Sequence, residues 1–228
     1  MHVEIRKRLE SDRSRSFTLD VAFDATEGIT ILFGQSGSGK TTTLRAIAGI
    51  VTPDSGRISI GEEIYFDSGT GVNLSIQKRR VGFVFQDYAL FPHMTAEQNV
   101  AYGINGAGAR ASKLERAREM LDLLKIQHVR QQYPQNMSGG EQQRTALARA
   151  LASDPAVVLL DEPLSAVDAE TRARLIDELV LAQQRVKIPF IYVTHNVAEA
   201  IRLGTGVVVL HEGSLKRIGP TAEVFDPL

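Results

Sequence analysis

Gly34-Gln35-Ser36-Gly37-Ser38-Gly39-Lys40-Thr41 fits the spacing G-x-x-x-x-G-K-[ST], and its flanks give that spacing meaning. Upstream, Ile29-Thr30-Ile31-Leu32-Phe33 is short, apolar and rich in β-branched residues, which predicts a buried strand. Downstream, the run from Thr42 to Ala48 puts Leu44, Ile47 and Ala48 on one helical face, and Gly49 marks its end. Strand, glycine loop and helix in that order predict a phosphate-binding loop, whereas a chance glycine-rich turn would need neither flank. The glycines let successive backbone N–H groups turn inward around phosphate oxygens, and the helix N-terminus adds its positive end. Residues Gly34 to Thr42 are therefore the expected phosphate cradle of a nucleoside triphosphate. Lys40 is expected to reach the β- and γ-phosphates, and the Thr41 hydroxyl to hold Mg²⁺.

The chain has 228 residues, enough for one large domain or two small ones with a real core. Hydrophobic residues make up 43% and charged residues 23%, as in an ordinary globular protein. A formal net charge of −1 gives no general footprint for nucleic acid. The absence of cysteine excludes disulfides, cysteine-ligated metals and thiol catalysis. Met1 to Arg8 lacks the apolar centre of a signal peptide, and no run approaches the roughly 18 apolar residues of a membrane helix. A chain that does not span a membrane by itself is expected.

Val3 to Ile5 and Phe17 to Phe23 read as strands, the second alternating Phe17, Leu19, Val21 and Phe23 with polar or small residues. A strand begins at Arg57, Asp67 to Asn73 reads as a loop, and Val81 to Phe85 is a further apolar strand. Ala101 to Ala111 is small and glycine-rich; Ser112 to Lys125 reads as a helix with Leu114, Ala117, Leu121 and Leu124 inward. Another helix runs from about Glu141 to Ala152, and Val157 to Leu160 is a buried strand ending in Asp161-Glu162-Pro163. A helix from Ala169 to Arg185, a strand from Phe190 to Val193, a short helix after His195 and a strand from Val207 to Leu210 close the chain. This alternation predicts an α/β fold with a mostly parallel sheet and helices on both faces. Residues from about 88 to 154 are expected to form a helical insertion within it.

In open α/β sheets ligands bind beyond the carboxyl ends of strands, so Asp161 and Glu162 are expected near the phosphate loop. Asp161 suits the Mg²⁺ shell, and Glu162 can polarise a water for in-line attack on the γ-phosphate. An exposed Asp-Glu-Pro turn is the alternative. Ser138-Gly139-Gly140-Glu141 reads locally as an S-x-x-E capping box. Two glycines inside a cap are explained if a ligand phosphate approaches the backbone closely.

With Gln86, Met137 to Arg144, Asp161-Glu162-Pro163, Ser165-Ala166-Val167-Asp168 and His195, the phosphate loop resembles an ATP-binding-cassette ATPase, motif after motif and over essentially the whole chain. The resemblance implies a P-loop NTPase core with an N-terminal antiparallel β subdomain and an inserted α-helical subdomain, with residues 1–87 and 155–228 as the core and its antiparallel part and about 88–154 as the insertion. It implies that Gln86 contacts Mg²⁺ or the attacking water and senses the transporter. It implies that Ser138, Gly139 and Gly140 bind the γ-phosphate held by an opposite subunit, that Asp168 shapes the contact between subunits, and that His195 bridges the γ-phosphate and Glu162. Met137, Glu141, Val167 and Asn196 stand where the family commonly has leucine, glutamine, leucine and aspartate. Glu141 keeps the capping geometry but places a negative charge near a phosphate. No Tyr or Trp precedes the loop, which leaves Phe17 as the adenine-stacking candidate and Phe23 as core.

Gln86 to Met94 and Asn99 to Gly103 look like the importer branch, in which the membrane permease subunits are separate chains. Leu90, Phe91 and Met94 would then receive a short permease helix, or else form a small core under a loop. The resemblance implies a homodimer across two ATP molecules, peripheral at the cytoplasmic face of the cell membrane, with an external solute-binding protein as an indirect partner and no nucleic acid. Asp67 to Gln86 is most similar to molybdate and tungstate ATPases, while sulfate, ferric-iron and polyamine importers share enough of the pattern to stay open. Soluble cassette ATPases of DNA repair or ribosomes are a further alternative, which nucleic acid instead of a membrane protein on co-purification would mark. Many importers of this group continue beyond a segment like Pro220 to Phe225 into a small β-rich regulatory domain; this sequence stops at Leu228, either naturally short or shortened, and no inhibition of its ATPase activity by added oxyanion is expected.

Overall fold

The structure is a computed structural model that describes residues 1–10, 16–104, 110–165 and 167–225. In chain order, β1 (His2–Glu10), β2 (Ser16–Asp24), β3 (Ile29–Phe33), α1 (Lys40–Ala48), β4 (Ser55–Ile60), β5 (Glu63–Asp67) and β6 (Val72–Asn73) come first. There follow β7 (Val81–Val84), α2 (Ala96–Tyr102), α3 (Arg110–Leu123), α4 (Gly139–Ala152), β8 (Val157–Asp161) and α5 (Ala169–Val186). The chain ends with β9 (Phe190–Thr194), α6 (Val197–Leu203), β10 (Gly206–His211), β11 (Ser214–Pro220) and α7 (Thr221–Val224). Two compact units result, Met1–Arg79 with Lys187–Leu228, and Arg80–Val186.

The first unit arranges its strands in the order β6-β5-β4-β1-β2-β11-β10-β3-β9. From β6 to β2 the pairing is antiparallel. Val3 sits opposite both Phe23 and Ile58, and Ile5 opposite Val21, so one face is an apolar ladder while Glu4 and Arg6 face water. β3 instead pairs in parallel with both β9 and β10. Every residue of β9 is buried, as are the first four of β3, the continuous apolar pattern of a sheet covered on both faces.

Two expectations need correction in this unit. Residues 67–73 are not an open loop: Asp67 Oδ1 accepts from the Gly69 and Thr70 N–H groups at 2.8 and 3.2 Å, which closes a tight turn leading into β6. The chain also continues as sheet after Leu210. Glu212 at φ 47° and Gly213 at φ 83° join β10 to β11 through a two-residue hairpin turn.

Arg79 is 4% exposed. Its Nε donates to Leu74 O at 3.0 Å, and one terminal nitrogen donates to Ala46 O and Ile47 O at 2.8 and 2.7 Å. The other terminal nitrogen donates to Tyr65 O and Asn73 Oδ1 at 3.3 and 3.1 Å. All five guanidinium N–H groups are thus used, and the positive charge sits against the carbonyl end of α1. Burial holds its pKa below the ordinary arginine value.

In the second unit β7 and β8 run parallel, with Val84 opposite Leu160. α3 begins two residues before the expected Ser112 and ends at Leu123, and Lys125 turns out of it at φ 57°. Residues 105–109, within the glycine-rich stretch, lie outside the described residues, as does Ala166. α2 opens with a capping box between Thr95 and Gln98, and Asn99, fully buried, clamps the preceding loop. Its amide donates to Phe91 O, Met94 O and Thr95 O at 3.2, 3.0 and 3.1 Å, and its Oδ1 accepts from the Phe91 N–H at 2.8 Å. Arg144 of α4 meets Glu178 of α5 at 2.7 Å.

Candidate functional site

The phosphate loop leaves β3 and turns into α1 through Gly39, the N-cap, at φ 102°. That left-handed backbone favours glycine, and a Cβ there would lie 2.5 Å from Leu19 Cδ1. Lys40 is 5% exposed, and its Nζ donates to Gly34 O and Gln35 O, both at 2.8 Å. The loop therefore folds over its own ammonium group. Gln35, Ser36 and Gly37 are exposed, while Thr41 and Thr42 are half-buried. Two features fit an anion. No side chain caps the N-terminus of α1, and the buried Ser38 hydroxyl has no hydrogen-bond partner. A phosphate oxygen satisfies both deficits.

His195 leaves β9 immediately after Thr194, which is paired with Phe33, so His195 and Gly34 emerge at the same sheet edge. Asn196 caps α6 by accepting from the Ala198 and Glu199 N–H groups at 2.9 and 3.2 Å. The Thr194 hydroxyl accepts from the Asn196 N–H at 3.0 Å and donates to Glu199 Oε2 at 2.8 Å, which fixes both sides of the exposed histidine. Phe17 is half-buried beside the loop, its Cζ 3.4 Å from where a Gly39 Cβ would stand, while Phe23 is core at 4% exposure.

In the second unit Asp161 ends β8, 7% exposed, and Glu162 follows at φ 45°. A non-glycine residue there costs about 1–2 kcal/mol, and the turn is held by the Ser165 N–H donating to Glu162 O at 3.1 Å. The parallel register of β7 and β8 brings Gln86 and Glu162 out at one edge. Ser138 caps α4, and its hydroxyl and N–H donate to Glu141 Oε2 at 2.7 and 2.8 Å. Burial works to raise the Glu141 pKa, but the two Ser138 bonds and His128, 2.8 Å from Oε1, hold it below the usual carboxylate range. The carboxylate is thus turned back onto its own cap. Gly139 is exposed, with nothing within 4 Å of where a Cβ would stand, and Gly140 is buried against Thr171 and Leu175. Asp168 accepts from the Thr171 N–H at 2.9 Å, starting α5, and that bond lowers its pKa.

A family model described as ABC transporter matches residues 19–165. The chain belongs to the ABC transporter family. The molybdenum import ATP-binding protein ModC of Rhodospirillum rubrum is 41% identical over 207 residues, 91% of this chain and 56% of that protein. ModC of Rhizobium meliloti is 41% identical over 226 residues, 99% and 62% of the two chains. This ABC chain thus spans only about three fifths of the length of the curated relatives it matches. Among solved structures, the dimeric post-hydrolysis state of the ATP-binding cassette MJ0796 bound to ADP and Pi superposes with a TM-score of 0.79 at 28% identity, covering 96% and 97% of the two chains. CbiO1 from Clostridium perfringens, part of the ABC transporter complex cbiONQ, gives 0.84 at 27% identity, covering 98% and 89%. The fold of this ABC chain is the P-loop NTPase α/β fold of such cassettes.

Sequence reasoning missed the clamp made by Asn99, and it missed Arg79 and Arg149 of this ABC chain. Arg79 lies in the run Lys78-Arg79-Arg80, which reads as a solvated face. Nothing local separates the buried member from its neighbours. Arg149 donates to Tyr88 O and Ala89 O at 2.8 and 2.7 Å, a pairing across some sixty residues that no periodicity reveals.

Proposed function

We propose that this chain is the ATP-binding and ATP-hydrolysing subunit of a membrane importer for an oxyanion of the molybdate type. The observation that carries the proposal is the 41% identity to ModC over 91–99% of this chain. Residues Gly34 to Thr42 take the triphosphate, Lys40 neutralises its terminal phosphates, and Phe17 stacks on the base. Glu162 accepts the proton of the attacking water, Gln86 orients that water, and His195 faces the γ-phosphate. Thr41, Gln86 and Asp161 offer the hard oxygen donors that suit Mg²⁺, which would neutralise phosphate charge when bound. The helical insertion is assigned to residues 88–154. The test is phosphate release by the purified chain and uptake of labelled molybdate, sulfate, ferric iron and a polyamine by the assembled importer. Uptake of another solute would reassign the substrate, and phosphate release equal to that of Lys40→Ala would overturn the enzymatic reading.

The homodimer follows from the cap of α4. Among the described residues no atom lies within 4 Å of where a Cβ at 139 would stand, so none of them requires a glycine there. A second copy's γ-phosphate, met by the N-terminal amides of α4, does explain it. Gly139→Arg is expected to abolish ATP-dependent dimerisation of a Glu162→Gln chain while ATP affinity changes by less than about threefold. Sedimentation with ATP and with ADP reads this. A dimer persisting in Gly139→Arg would remove the cap from the interface.

No helix among the described residues is long and apolar enough to cross a membrane. Attachment to permease subunits is assigned to Leu90, Phe91 and Met94, all half-buried. Phe91 lines a groove of about 410 Å³ with Phe85, Tyr102 and Arg149, and Met94 lines a second of about 440 Å³ that shares Tyr102. Phe91→Asp is expected to lower permease-stimulated turnover and uptake at least about tenfold, a loss of 1.4 kcal/mol or more, with soluble ATPase activity kept. Loss of folding would instead make these residues core.

A further inference from the structure

We infer that Arg149 is the positioning residue through which helix α4 sets the backbone of residues 88–91, so that a shift of the Ser138–Gly140 cap reaches the groove around Phe91. The inference rests on the cap and groove roles proposed above. It starts from the loop. Tyr88 and Ala89 have φ values of 62° and 44°, two successive non-glycine residues in the left-handed region. Neither conformation is self-supporting. The Tyr88 hydroxyl is buried without a partner, so the side chain does not explain the shape either.

Within the loop the Tyr88 N–H donates to Phe85 O at 2.9 Å, and the Tyr88 and Ala89 carbonyls are held from α4. Arg149 donates to Ala89 O at 2.7 Å and to Tyr88 O at 2.8 Å, and its guanidinium lies 5.7 Å from the centre of the Phe91 ring. Successive carbonyls point the same way only when the backbone is helical in sense, right- or left-handed; in extended chain they alternate. The planar fork can take both carbonyls only in the observed conformation, and a lysine's point charge cannot do the same. Burial depresses the Arg149 pKa against the opposing pull of Asp87, so the cation is held where it is least solvated. Gly103 makes room, for a Cβ there would lie 2.9 Å from Arg149 Cγ. The other anchor, Asn99, joins Phe91 and Met94 to the adjacent helix α2, and does not reach Tyr88 or Ala89.

Ser138 and Arg149 stand on one unbroken helix, separated by about 16 Å at 1.5 Å per residue. A hydrogen-bonded rod of that length moves as a body, and the fork transfers its movement to two carbonyls of the loop. The loop backbone is therefore where the movement is read.

The chain has no cysteine, and Pro92 is exposed, so a Pro92→Cys chain takes a single environment-sensitive fluorophore. In a Glu162→Gln background, ATP is expected to shift its emission, and Arg149→Met and Arg149→Lys are each expected to lose that shift with ATP affinity changed by less than about threefold. Ala89→Pro, which forbids a φ of 44° while leaving Arg149 in place, is expected to lose it too, and carries the test if Arg149→Met does not fold. A full shift in Arg149→Met or Arg149→Lys overturns the inference, as does loss of ATP binding together with the shift. No shift in the parent chain also overturns it. The groove reading fails separately, if Phe91→Asp still co-purifies with the permease.

Discussion

Glu162→Gln is expected to bind ATP as the parent chain does and to hydrolyse it about 10²- to 10⁴-fold more slowly, the range that a positioned general base contributes. The substitution keeps the size and shape of the side chain, so the φ of 45° that follows β8 and the Ser165 bond that holds it are left in place. What changes is basicity: a carboxylate takes the proton of an attacking water and an amide does not. The effect should therefore fall on the rate of phosphate release under saturating ATP, with nucleotide affinity measured separately by titration. Unchanged turnover would move the base elsewhere, and His195 would be the next group to test.

The second large effect concerns binding. Lys40→Ala is expected to weaken ATP affinity about 100-fold or more, because charge-assisted hydrogen bonds to two phosphates contribute roughly 1.5–3 kcal/mol each. The same Nζ donates to Gly34 O and Gln35 O, so the truncation also removes two bonds that close the loop. The chain should still fold, since Leu44, Ala46 and Ile47 anchor α1 in the core at 0% exposure. Isothermal titration of both chains, with a melting curve as control, measures the loss. Equal affinities would mean that the backbone amides alone carry the triphosphate.

The regular parts of this chain were legible because each carried one strong local signal. β3, the glycine loop and α1 follow from a five-residue apolar run, a spacing of glycines and a helical face. The S-x-x-E box ahead of α4 is present with both reciprocal bonds. β11 was hidden because Ser214 to Pro220 is almost wholly exposed and shows no alternation; only the Glu212-Gly213 turn could have betrayed it. β6 was hidden for a related reason, being two residues long after a glycine-rich turn. Among the proposed site residues, the phosphate loop and Asp161-Glu162 could be suggested from strand ends. Gln86 and His195 could be read only through family resemblance, because a single polar residue after a strand has no local signature. Arg149 escaped both routes, and the clamp made by Asn99 was not foreseen although the importer resemblance includes that residue, since their partners are backbone groups and these leave no trace in a sequence.

Arg79 joins parts of the first unit that would otherwise open at different free energies. Its donors end on the carbonyls of Ala46 and Ile47 in α1, on Leu74 O, on Tyr65 O in β5 and on Asn73 in β6. Fraying of the short β5–β6 hairpin would strand a desolvated cation, and unwinding the last turn of α1 would do the same from the other side. Neither event is cheap alone, so the two segments should exchange their amide hydrogens as one cooperative block. A two-residue strand at the sheet margin, unremarkable in itself, thereby inherits the protection of the helix that begins at the phosphate loop.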